Sequence, residues 1–79
     1  MPVYDKKVQD AIKKVKKPFN IRVHIVAYPT NTLAVRVYES DISEYNESQR
    51  MQIMEYLYLV QGVIESFGFD SFLDGISDA

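Results

Sequence analysis

The sequence predicts a single small α+β domain in which an antiparallel hairpin packs on a long C-terminal helix, in the order α-β-β-α. Three observations lead there. Apolar residues follow a helical spacing up to Val15, switch to a period of two at Phe19, and return to helical spacing beyond residue 44. A Pro-Thr-Asn stretch divides the period-two region into two strands. At 79 residues, with 47% hydrophobic content and ten aromatics, the chain suffices for one packed core and no more.

The first helix is expected over roughly residues 2–17, where Tyr4, Val8, Ala11, Ile12 and Val15 share one face and lysines fill the other. Pro2 suits a first helical position, and Pro18 ends the helix because its ring clashes with the preceding turn and it lacks an N–H. In the strand expected over roughly 19–28, Phe19, Ile21, Val23, Ile25 and Ala27 point one way. Asn20, Arg22, His24, Val26 and Tyr28 point the other. A second strand, roughly 32–38, turns Leu33, Val35 and Val37 inward. Opposed residues of an antiparallel pair must share a face, so a three-residue loop, Pro29 to Asn31, pairs Ala27 with Leu33, Ile25 with Val35 and His24 with Arg36. Proline presets the turn and asparagine takes its left-handed position.

The long helix is expected over roughly 44–67, capped by Asp41 with Glu44 or by Asn46 with Gln49. Ile53, Leu57, Val60, Ile64 and Phe67 form its core seam, and it stops at Gly68 with Phe69 folding back. Met54, Tyr56, Leu59 and Val63 widen the apolar surface beyond what one hairpin and one short helix cover, and Gly62 invites a close approach. A lone two-stranded sheet is marginal in water. Together these predict a homodimer, with Met54, Tyr56, Leu59, Gly62 and Val63 at its interface.

The tail, 69–79, mixes Phe69, Phe72 and Leu73 with Asp70, Asp74 and Asp78. It reads either as an acidic-hydrophobic peptide that becomes helical on a partner, or as a segment laid over the open end of the core with its aspartates in water.

Charge divides the chain. Residues 1–38 hold eight basic and two acidic residues, a net of +6; residues 39–79 hold one basic and nine acidic, a net of −8. Such asymmetry points to a charged partner, or to basic and acidic elements lying side by side. Two interaction surfaces follow. An acidic one comprises Glu39, Asp41, Glu44, Glu47, Asp70 and Asp74 with Phe72 and Leu73, and suits a protein partner with a basic groove. A basic-aromatic one combines Arg22, His24, Tyr28, Arg36 and Tyr38 on the outward strand faces with Lys13, Lys14 and Lys17 of the first helix. Such a mixture suits single-stranded nucleic acid, although a pI near 5.2 weighs against a dedicated binder.

Catalytic chemistry finds little purchase. His24 is the sole histidine, its expected neighbour is the cationic Arg36, and no serine stands in a nucleophile-elbow context. The three glycines stand apart at 62, 68 and 75, so no phosphate loop forms. Without cysteine there is no disulfide framework or thiol nucleophile, and with only one histidine besides, no tetrahedral zinc site is expected. The acids between 39 and 47 lack the spacing of a calcium loop. The expectation is a non-enzymatic interaction protein of the inhibitor or adaptor type, with no cofactor, metal or small-molecule substrate. The first residues lack a signal-peptide core and no run nears the ~20 apolar residues that cross a bilayer, so a cytoplasmic location is expected.

Overall fold

The computed structural model describes residues 6–77, with side chains as far as Leu73. Its elements run α1 (Lys6–Lys13), β1 (His24–Tyr28), β2 (Thr32–Tyr38), α2 (Glu39–Ile42), α3 (Glu47–Ser66) and β3 (Asp70–Ser77). The fold is α+β: three helices and a three-stranded sheet whose hairpin packs against the long helix α3. Among the described residues no helix is long and apolar enough to cross a membrane.

The expected helical start at Pro2 and Tyr4 lies outside the described residues. α1 ends at Lys13 rather than near Lys17, closing with three-residue-step bonds from Lys14 N–H to Ala11 and Val15 N–H to Ile12. Pro18 bars a helix beyond Lys17, because it supplies no N–H and pushes the residue before it out of helical geometry; α1 stops a turn short of that limit. The chain then turns tightly, with Ile21 N–H donating to Phe19 and the Lys17 ammonium to the Ile21 carbonyl. Phe19 leaves the sheet to stack on Tyr45 at 4.9 Å. β1 therefore begins at His24, five residues later than the alternation alone suggests.

The hairpin has the expected register, with His24 opposite Arg36, Ile25 opposite Val35 and Ala27 opposite Leu33. Its loop is the three-residue turn, and Asn31 takes φ 63° there. α2 follows β2 without a linker and plants Ile42 in the core. Of the two possible caps Asn46 is the one used: its side chain accepts from Gln49 N–H, and the Gln49 side chain accepts from Asn46 N–H, both at 2.9 Å. Ile53, Leu57, Val60 and Ile64 form the buried seam of α3. Phe67, expected to extend it, becomes the C-cap and stays exposed, while Phe69 packs on the core behind Gly68 at φ 93°.

The tail is not helical: Phe69 and Leu73 pack on the core with Asp70 exposed, as the second reading has it, while Phe72 faces outward. It is a full strand, β3, parallel to β2, giving the sheet order β1-β2-β3. α2 and α3 supply the long crossover that a parallel neighbour requires. A bulge at Asp74 separates the Val35–Leu73 pair from the Arg36–Gly75 pair. β2 is thereby central, and Leu33, Ala34, Val35 and Val37 are all buried. Its inner residues Leu33, Val35 and Val37 join the α3 seam, Val8 of α1 and Ile21 in one core. The need for a second chain to complete a two-stranded sheet is met within the chain itself.

Candidate interaction surfaces

The side of α3 opposite its core seam carries exposed apolar residues among polar ones. At about 100° per residue, Gly62 lies about 180° round the helix from the core residue Ile53, and Met51, Tyr58 and Leu59 fall within about 60° of it. Those three side chains are 66%, 60% and 61% exposed. A Cβ built at Gly62 would meet nothing within 4 Å, so the middle of this face is open. Glu55 lies exposed within this face, about 20° from Gly62, and Glu47 and Glu65 lie exposed at its edge, about 60° away. The residues expected at a dimer interface are divided by this geometry. Tyr56 is buried and Met54 packs on the same core, Val63 is half-buried, and Leu59 and Gly62 face outward. Met51 and Tyr58 were not among the expected residues. Their seven-residue separation, opposite the core seam, is the signal that marks them.

The expected acidic residues are spread over both ends of α3. Glu39 and Asp41 sit on α2, with Glu44 and Glu47 exposed at the corner leading into α3. Asp70 opens β3 beyond the far end of this 20-residue helix, about 30 Å away along its axis. Glu39 is occupied: its two carboxylate oxygens face the two terminal nitrogens of Arg50 at 2.9 and 2.7 Å. Arg50 also donates to the carbonyls of Tyr45 and Ile42, tying the end of α2 to the first turn of α3. These charge-assisted bonds hold the Glu39 carboxyl below its ordinary range and push the Arg50 guanidinium above its own. Leu73 turns inward onto the core and Phe72 outward. The side chain of Asp74 and all of Asp78 lie outside the described residues.

The outer sheet face gathers residues from both expected surfaces. Tyr28 of β1, opposite Thr32, and Phe72 of β3, opposite the buried Ala34, stack diagonally across β2, with ring centroids 6.1 Å apart and planes 23° apart. Further along, His24 meets the edge of Tyr38 at 4.7 Å, and the Arg36 guanidinium lies 6.0 Å from the Tyr38 ring centre. His24 Nε2 is sealed from solvent 3.7 Å from an Asp41 oxygen, beyond hydrogen-bond reach. Lys17, Arg22 and Asp41 line a cleft of about 530 Å³ at this end.

α1 belongs to the other layer. Lys13 and Lys17 rim a groove of about 240 Å³ floored by Ile12, Val15, Ile25 and Tyr56. The expected continuous platform is therefore two surfaces, with Arg22, His24, Tyr28, Arg36 and Tyr38 toward the outer sheet face and Lys13 with Lys14 on the helical side. Lys17 lies between them. Among the described residues no three of His, Cys, Asp or Glu cluster to hold a metal ion. Comparison with protein-family models, with curated proteins and with solved structures found no match to this chain.

Proposed function

We propose that this chain is a non-enzymatic interaction domain of the inhibitor or adaptor type, docking a basic, amphipathic partner protein on the outer face of α3. The observation that carries this reading is the Met51–Tyr58–Leu59 stripe, more than half exposed on one helix surface and bordered by carboxylates. Single exposed apolar side chains are ordinary, whereas several together, rimmed by polar groups, mark interaction sites. Arg50 is the only basic residue of α3, and Glu39 and two carbonyls hold it. The face thus mixes apolar side chains with carboxylates, Glu55 at its middle and Glu47 and Glu65 at its edge, which suits a helix or groove carrying lysine or arginine beside its apolar residues. A second copy competes for the same face, but its own α3 would bring Glu47, Glu55 and Glu65 against their equivalents.

An NMR titration with two probe peptides tests this. One is an amphipathic helix of leucine and lysine, the other its leucine–glutamate counterpart. The lysine peptide is expected to shift Glu47, Met51, Glu55, Tyr58, Leu59 and Gly62, and the glutamate peptide to leave them in place. The double substitution Glu47→Lys with Glu55→Lys should abolish the response while preserving the fold. Shifts mapping to another surface, or equal responses to both peptides, overturn the proposal.

A further inference from the structure

The outer sheet face is independent of α3, and its chemistry differs. Tyr28 and Phe72 come from opposite edge strands and meet only because β3 joins the sheet beside β2. Phe72 is paired with Ala34 and Tyr28 with Thr32, so the rings meet diagonally over β2, where the small Ala34 side chain leaves room beside Phe72. Both rings remain about two-fifths exposed, at 40% and 42%, on the side turned away from the α3 core. Arg36 follows two residues along β2, about 7 Å from Ala34 along the strand. Arg22 is exposed just before β1 and shares its cleft with Lys17. The face therefore offers flat aromatic surface at one end and cations at the other.

We propose that this face binds single-stranded nucleic acid, with Tyr28 and Phe72 stacking unpaired bases while Arg22 and Arg36 take the adjoining phosphates. Every base has a π-face, so a stacking platform accepts many sequences, and phosphate contacts supply attraction that salt weakens. Duplex binds poorly, because its bases are already stacked on one another. Two aspartates limit affinity: Asp41 lies against His24, and Asp70 opposes Thr32 at the Tyr28 end of the sheet. Binding is therefore weak and strongly dependent on salt.

Fluorescence anisotropy with labelled ~12-nucleotide oligothymidine and oligouridine strands, a duplex of equal length and heparin tests the proposal. At ~50 mM salt the single strands should bind and the duplex and heparin should not compete effectively; at ~500 mM salt binding should be lost. Phe72→Leu keeps an apolar side chain but removes the ring, and should weaken binding about tenfold, with Phe72→Tyr restoring it. Arg22→Ala should flatten the salt dependence, and Leu59→Ala on α3 should change nothing. No binding at low salt, equal competition by heparin, or indifference to Phe72→Leu and Tyr28→Leu overturns the proposal. The result leaves the α3 reading untouched, since that response maps to a different surface.

Discussion

Asn31 shows how much rests on one backbone angle. Its φ of 63° closes the hairpin, its carbonyl accepts from Asp70 N–H at 3.2 Å, and its side-chain amide reaches the Gly68 carbonyl. The turn thus also seats the start of β3. Left-handed geometry costs an L-residue about 1–2 kcal/mol, most for a β-branched one, so Asn31→Val should destabilise by roughly that amount and Asn31→Gly by much less. Urea midpoints of the two variants check this, and equal losses would contradict it. The Glu39–Arg50 fork makes a pH prediction. A carboxyl held below its ordinary range contributes stability above its unfolded pKa and loses it as pH falls through the folded one. Wild-type stability should therefore decline as pH drops below about 4.5, and Glu39→Gln should flatten that decline. Denaturation at a series of pH values reads it directly. Tyr56 acts at the other extreme, because burial pushes its phenol up. Its share of stability is present below about pH 10 and lost as pH rises through the folded value, so Tyr56→Phe should delay alkaline unfolding.

At the scale of elements, α3 carries both the core and the proposed docking face, and Gly62 separates the two roles. Glycine inside an exposed helix costs about 0.5–1 kcal/mol against alanine, and the site has room for a methyl group. Gly62→Ala should therefore raise the melting temperature of the isolated chain while weakening the leucine–lysine peptide. A stabilised variant with undiminished binding would show that the partner does not approach there. β3 is the second element with a clear prediction. Gln61 donates to the Ser71 carbonyl and Ser71 to Glu65, stitching the strand to α3. Deleting residues 69–79 would bare one edge of β2 and remove Leu73 and Phe69 from the core. The shortened chain should lose cooperative thermal unfolding, and a truncation that melts like the full chain would contradict the parallel pairing.

For the whole molecule, the sheet is three-stranded without help from a second chain, which leaves the α3 outer face as the remaining ground for a dimer. The carboxylates on that face predict a monomer in light scattering at ~50 mM salt, where their mutual repulsion is least screened. A dimer that Leu59→Asp dissolves would assign the stripe to a second copy instead. Charge pairing occurs within each half and across them: Arg50 and Glu39 satisfy each other inside the acidic half, Lys6 lies 4.0 Å from Asp10 within α1, and His24 of the basic half lies against Asp41 of the acidic one.

Local signals carried much of the fold. The hairpin register followed from side-chain parity and turn chemistry, and the α3 seam from its periodicity, because both depend on residues close together in the chain. The place of the tail did not. Residues 69–79 read as an acidic-hydrophobic docking peptide or a cover for the core, since a parallel strand draws its stability from a partner more than thirty residues away and not from local propensity. The same non-local pairing buried Ala34, which alternation alone turned to solvent, and brought Phe72 onto Tyr28. It also fell to tertiary packing to draw Tyr56 into the core and leave Met51, Tyr58 and Leu59 outside, because a wheel read in isolation cannot say where the sheet ends. By itself the sequence determined the hairpin pairing, the α3 seam and the division of charge. Only the tertiary structure decided which of the apolar and charged residues share a surface, because that depends on where β3 and α1 come to rest against the rest of the chain.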